Sequence, residues 1–379
     1  MIPYGRHNIN EDDISAVINA LRGDWLTTGP LVEAFELALE GVVGAPCVAV
    51  SSGTAALHCA YAAIDLKPGD EIITPPITFI ATQATATFFG AKVVFADIQL
   101  DTANIDPKFV ESVITSKTKA IVAVDYAGHP ADLDELRIIA DKYGVFLIED
   151  AAHSLASTYK KRRVGSIADI TTFSFFPTKN ITTGEGGAVA SIKPELLEKA
   201  KRFSRQGLVR NAGELMMSNE GPWHQEVQRF GLNYRLPDIL CALGIAQLNR
   251  LPIFKDVRDQ VFKTYLSELS ETPHLELPSK RDYVDPMWHL YPIRVPSKGR
   301  RKIFERLQQN NIKVQVNYLP ANQHPVFTDL GYKGSDTPNA DKFYRSEISL
   351  PMMANSDYLS SSAINSICGN LKLAMKEFC

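Results

Sequence analysis

DLDELRIIADKYGVFLIEDAAHS, residues 132–154, sets a helix and a strand back to back. Leu133, Leu136 and Ile139 recur at helical spacing, acidic residues open the segment, and Gly144 closes it as helix ends prefer. The run VFLIE that follows reads as a buried strand. The same alternation continues outward on both sides. Further strand-like runs are CVAVS (47–51), EIIT (71–74), KVVFA (92–96), AIVAV (120–124), ITTFSF (170–175) and GAVAS (187–191), while GTAALHCAYAAI (53–64) and FIATQATATFF (79–89) are periodic as helices are. This predicts an α/β fold whose large domain, residues 1–251 with an N-terminal segment, is a doubly wound, mostly parallel sheet with helices on both faces. From Pro252 the texture changes to a charged helix, KDVRDQVFKTYLSEL, a Pro-rich connection, LYPIRV, a helix, IKVQVNYLP and a terminal helix. That stretch, 252–379, reads as a smaller C-terminal α/β domain.

With 379 residues, 45% of them hydrophobic, the chain can bury a large core. Its net charge of -3 offers no basic field for nucleic acid, and the basic run from Lys298 to Lys302 reads as the solvated start of a helix. Five widely separated cysteines show neither metal-ligand spacing nor a disulfide framework, so no metal is expected and a reducing compartment is. The opening MIPYGRHNINEDD has no apolar signal core, and no apolar run is long enough to span a bilayer. The expectation is a cytoplasmic protein with no membrane partner.

In sheets of this kind ligands gather outside the carboxyl ends of the strands, so the polar residues that follow each strand are the candidates. Ser52, Gly53 and Thr54 stand between a strand and a helix: either an ordinary N-cap, or a cradle for phosphate. Glu149 and Asp150 end an apolar strand, and a carboxylate there either caps a helix starting at Ala151 or faces a cationic partner. Lys179 follows Ser174 and Phe176 at the end of ITTFSF and precedes the glycine turn 184–187. By itself it reads as a surface charge. Together, a phosphate cradle, a strand-end Asp and a loop Lys are the parts that pyridoxal 5'-phosphate (PLP) requires: an anchor, a partner for its ring nitrogen, and an amine.

The stretches SSGTAAL (51–57), PPITFIATQAT (75–85), IEDAAHSLAS (148–157), VGSIADITTFSFFPTKNITTGEGGA (164–188), GLNYRLPDILCALGIAQL (231–248) and HLYPIRV (289–295) together resemble the nucleotide-sugar aminotransferases of the DegT/DnrJ/StrS group. The resemblance extends over nearly the whole chain, from WLTTGPLVEAFE (25–36) to NYLPANQHPVF (317–327). It implies the type I PLP-dependent aminotransferase fold, a homodimer with shared active sites, and a cofactor that alternates between PLP and pyridoxamine phosphate (PMP). By position it implies Lys179 as the Schiff-base lysine and Asp150 as the partner of the ring nitrogen, the two catalytic residues. It further implies Gly53, Thr54 and Ser174 as phosphate ligands, Phe79 and His153 against the cofactor ring, and Asn233 as a residue that reaches the phosphate of the neighbouring subunit. Thr28, Phe176, His224, Tyr318 and His324 fall where relatives contact substrate. L-glutamate is the group's usual amino donor and a nucleotide-linked keto hexose its acceptor.

Relatives often carry FSFHPVK, and this chain has Phe176 where that histidine stands, so Phe176 either faces the sugar or packs in the core. His224 and His324 are either pocket residues or loop histidines. The segment GPWHQEVQRFGLNYRLPDI (221–239) is similar to enzymes of the pseudaminic acid pathway, which implies a UDP-4-keto-6-deoxy-N-acetyl-L-altrosamine acceptor. Enzymes making perosamine share the same catalytic motifs. Two rival readings remain: a sugar dehydratase, against which Lys179 itself argues, and a cofactor-bound regulatory protein without turnover. The nucleotide diphosphate calls for cations, and Arg235 and Arg258 are among the candidates.

Overall fold

A computed structural model describes residues 1–217, 220–333 and 336–379. The main sheet consists of β1 (Cys47–Val50), β2 (Glu71–Thr74), β3 (Lys92–Phe95), β4 (Thr118–Val124), β5 (Phe146–Asp150), β6 (Ile170–Ser174) and β7 (Gly187–Ala190). Their order is β1-β7-β6-β5-β4-β2-β3. Only β7 runs antiparallel to its neighbours, β1 and β6; the pairs β6–β5, β5–β4, β4–β2 and β2–β3 are parallel. Buried strands of this kind need apolar residues on both faces, which is why they read as unbroken apolar runs.

Side chains alternate between the faces. Val122, Ile148 and Ile170 enter the core shared with α3 (Gly53–Ala63). Ile121, Ala123 and Leu147 enter the opposite core, where Leu133, Leu136 and Ile139 of α5 (Leu133–Tyr143) pack; α4 (Ala81–Phe88) lies between α3 and α5 in the chain. As the sequence indicates, α5 ends at a left-handed Gly144 (φ 64°), whose N–H bonds back to Ala140.

The N-terminal segment contains two helices that sequence reading left unassigned, α1 (Glu11–Arg22) and α2 (Pro30–Val43). Asn10 and Asp13 bond reciprocally at the start of α1 as a capping box. Beyond α6 (Pro194–Ser204) and α7 (Asp238–Asn249), α8 (Leu251–Leu269) leads into a separate core. There β8 (Tyr291–Arg294) pairs antiparallel with β9 (Glu347–Leu350), covered by α9 (Ser297–Gln309) and α10 (Ser361–Phe378). The basic run 298–302 begins α9. IKVQVNYLP makes only isolated bridges, Ile312 with Ile2 and Gln315 with Ser349, so the partner of β8 is EISL instead. The Ile2 pairing ties the first residues to this second core and brings Tyr4 to the edge of the main sheet's cavity.

Candidate active site

A cavity of about 480 Å³ opens at the carboxyl ends of β1, β4, β5 and β6. Strand alternation selects what enters it. Val124, Asp150, Thr172 and Ser174 share the face that Val122, Ile148 and Ile170 turn toward α3, and all four line the cavity. Glu149, one residue earlier than Asp150, points to the other side. Gly53, Thr54, Phe79, His153, Phe176, Lys179 and Tyr318 complete the wall, so most of the residues singled out in the sequence meet here.

The lining has distinct subsites. Ser52 caps α3 by accepting from Ala55 N at 3.0 Å, and Gly53 and Thr54 follow it as the first helical residues, whose amides lack partners within the helix. Gly53 lies so close to β6 that a Cβ on it would stand 2.7 Å from Ser174 Cβ and 3.1 Å from Ser174 Oγ. Helix amides and a serine hydroxyl thus converge on one point, a fit for phosphate. Asp150 Oδ2 accepts from Thr82 Oγ1 at 2.7 Å and Oδ1 from Ala152 N at 3.2 Å. No helix begins at Ala151; the chain makes turns there, so Asp150 is not a helix cap.

Burial governs the charges. It raises the pKa of Asp150, and the Thr82 and Ala152 hydrogen bonds and the field of Lys179 only partly offset it. Burial lowers Lys179 to about 8, opposed by Asp150. A carboxylate short of positive charge beside an amine that sheds its proton easily suits a ligand bringing a protonated ring nitrogen and an aldehyde, which is what PLP carries. His153 is buried and held neutral, first by desolvation and then by Lys179. Its Nε2 lies 3.4 Å from the Tyr318 hydroxyl. Phe79 stands edge-on to Tyr318, with ring centroids 6.3 Å apart. Phe176 is 45% exposed at the cavity rather than packed in the core.

Several lining residues escaped sequence reading. His289 packs on His153 with ring centroids 4.3 Å apart, and burial keeps it neutral too. It sits in HLYPIRV two residues before β8, at the start of a strand, whereas only residues following strands were searched. Thr82 does not line the cavity but holds Asp150 from behind; three residues beyond Phe79, it was detectable by its helical spacing. Tyr4 and Asn317 arrive from distant segments and left no local signal.

Other expected residues stay outside the cavity of this chain. Thr28 (φ 58°) and Asn233 are exposed, the latter bridging to Arg205. His224 lies 3.9 Å from Glu226, and His324 precedes the short helix Pro325–Thr328. Arg235 bonds Gln206 at 2.8 Å. Arg258 is buried below the lysine loop, donating to Trp288 O at 2.9 Å and Lys179 O at 3.4 Å, which makes it a support of the loop and not a diphosphate ligand. Among the described lining residues, Lys179 is the only Lys or Arg.

The chain matches the DegT/DnrJ/EryC1/StrS aminotransferase family over residues 7–372. It is 39% identical over 358 residues to the spore coat polysaccharide biosynthesis protein SpsC of Bacillus subtilis, covering 93% of this chain and 92% of that one. It is 38% identical over 359 residues to the UDP-4-amino-4,6-dideoxy-N-acetyl-beta-L-altrosamine transaminase of Campylobacter jejuni, with the same coverage, 93% and 92%. Among solved structures, Spr1654 of Streptococcus pneumoniae in a PMP form superposes with a TM-score of 0.94 at 30% identity, covering 100% of both chains. Helicobacter pylori PseC, an aminotransferase involved in the biosynthesis of pseudoaminic acid, gives a TM-score of 0.92 at 32% identity, again over 100% of both.

Proposed function

The chain belongs to the DegT/DnrJ/EryC1/StrS aminotransferase family, and from that premise we propose that it moves an amino group from L-glutamate to the 4-keto carbon of UDP-4-keto-6-deoxy-N-acetyl-L-altrosamine. It is a PLP-dependent sugar aminotransferase with the α/β fold of that family. The observation that carries the chemistry is the pairing of a buried Asp150 with a Lys179 whose pKa is lowered to about 8 in one cavity. The acceptor sugar rests on the Campylobacter transaminase and on PseC.

PLP, when bound, supplies the electron sink and the carrier for the travelling nitrogen. Gly53, Thr54 and Ser174 would hold its phosphate, Phe79 and His153 would lie against its ring, and Asp150 would keep the ring nitrogen protonated. Lys179 would hold its aldehyde end. As a free amine beside the same carbon, Lys179 would take the α-proton of glutamate and, in the second half of the reaction, return a proton to the sugar carbon that receives nitrogen. A pKa near 8 leaves a useful share of this amine neutral at physiological pH. Phe176 and Tyr318 form the sugar-facing wall.

The same reading takes 1–251 as the cofactor-binding domain, 252–379 as the smaller one, and the working form as a cytoplasmic homodimer. The lack of a second Lys or Arg among the described lining residues supports shared sites, because a nucleotide diphosphate then draws its cations from another copy. Thr28, His224, His324 and Asn233 are assigned to that shared site. The greater identity to SpsC favours a second reading, in which the acceptor is a different nucleotide-linked 4-keto sugar.

A mass-spectrometric assay with glutamate and a panel of nucleotide-linked 4-keto sugars tests this. Amination of the UDP-altrosamine precursor above all others is expected. Preference for another sugar moves the assignment to the second reading, and no amination of any 4-keto sugar overturns both.

A further inference from the structure

Directly behind the cavity, on the opposite face of the sheet, two carboxyl groups meet without a cation among the described residues. Asp125 follows β4 and Glu149 lies on β5; both are 0% exposed. The strand register explains the meeting. Val124 pairs with Asp150 and Ala123 with Glu149, so Asp125, one residue past Val124, falls on the Glu149 side.

Both Asp125 oxygens accept: Oδ2 from Ser154 Oγ at 2.6 Å and Oδ1 from Ala131 N at 2.9 Å. Glu149 Oε2 accepts from Thr171 Oγ1 at 3.0 Å, whereas Oε1 has no other donor to accept from. Two buried carboxylates in contact cannot both ionise. A hydrogen on Glu149 directed at Asp125 satisfies the orphaned oxygen and removes the repulsion.

We propose that Glu149 is a positioning residue of the active site: as a neutral acid it donates to Asp125, and Asp125 in turn clamps the turn 151–154 that presents Asp150 and His153 to the cavity. The backbone closes the same link, since Asp125 N donates to Asp150 O at 3.1 Å. This inference rests on the assignment of Asp150 to the cofactor ring made above, and it is independent of which sugar is used.

The groups facing the pair are Thr171 from β6, Ser154 from the turn, and the backbone amides of Ala131 and Gly165, with the charge of Asp150 acting from the cavity face of β5. With no cation among them, burial raises both carboxyls, so the folded state holds the proton more tightly than the unfolded one. Stability is then full at low pH and is lost as pH rises through the pair's folded-state pKa.

Glu149→Gln retains a donor toward Asp125, whereas Glu149→Leu removes it. PLP titration of the apo proteins should show Glu149→Leu binding about tenfold more weakly, with the pH midpoint of the holoenzyme's visible band displaced, and Glu149→Gln restored close to wild type in both. Thermal melts should fall with rising pH in wild type and fall less in Glu149→Gln, a comparison that holds even where the leucine variant does not fold. Wild-type affinity and spectral midpoint in Glu149→Leu, or equal pH profiles in the two melts, would overturn the inference. An Asp150→Asn control that binds PLP normally would bring down the site assignment and this inference with it, while weakened Asp150→Asn beside an unaffected Glu149→Leu refutes the inference alone.

Discussion

Replacing Gly53 with alanine tests the phosphate cradle at its tightest point. The backbone there is not left-handed, and alanine is the better helix former by up to about 1 kcal/mol, so propensity alone favours the variant. Contact decides otherwise. The added methyl would sit 2.7 Å from Ser174 Cβ, and Ser174 or the start of α3 must retreat by roughly 0.7 Å to reach ordinary van der Waals separation. Overpacking of this kind costs about 1–3 kcal/mol, so the apo protein should lose about 0–3 kcal/mol after the propensity gain. Cofactor binding should suffer more, because a shift of that size stretches a hydrogen bond to phosphate past its useful range, and bonds to charged groups contribute about 1.5–3 kcal/mol. PLP affinity measured by absorbance titration of apo enzyme should therefore fall about 10- to 100-fold. Ser174→Gly removes the two nearest atoms the methyl meets, so in that background the stability cost of Gly53→Ala should shrink. Unchanged PLP affinity in a folded Gly53→Ala protein would refute the cradle.

Lys179 should act as a costly residue. Its pKa, lowered to about 8, means the folded apo protein gains stability as pH rises from there toward the unfolded value near 10.5, and at pH 7 Lys179→Met should melt no lower than wild type while losing all turnover. PLP capture by wild-type apo enzyme should accelerate with pH and level off above about 8; a flat profile would contradict a titrating amine. Thr82→Val removes the 2.7 Å bond to Asp150 and should weaken PLP binding about tenfold, whereas normal binding would reduce Thr82 to a packing role. Mixing inactive Lys179→Ala with inactive Asn233→Ala protomers should restore about a quarter of wild-type activity if Asn233 serves the neighbouring subunit, since half of the dimers are mixed and each has one intact site. No recovery in confirmed mixed dimers would confine Asn233 to its own chain.

Much of this architecture was readable because burial on both faces leaves strands as short apolar runs, and because α5 carries its acidic start and its Gly144 stop in the local sequence. What escaped was set by long-range partners. The reversed direction of β7 depends on a tight return after Lys179, and no residue within GAVAS announces it. Glu149 and Asp150 are chemically almost alike, and only the register with β4 separates the cavity side from the far side. Asp150 and Ser174 were found since each ends a strand, and Lys179 since it stands in the loop that follows one. Tyr4 and Asn317 were missed because their place depends on the pairing of Ile2 with Ile312, more than 300 residues away in the chain. Asn233, Thr28, His224 and His324 lie outside this cavity; under the shared-site proposal it is a second copy of the chain that they serve.

Arg258 gives the lysine a mechanical neighbour. Its helix, α8, is the rod joining the sheet to the second core, and its guanidinium grips the main chain at Lys179 itself. A tilt of that rod is therefore felt at the lysine proposed as catalytic, so an additive or substitution that bends α8 far from any substrate should have a lever on turnover.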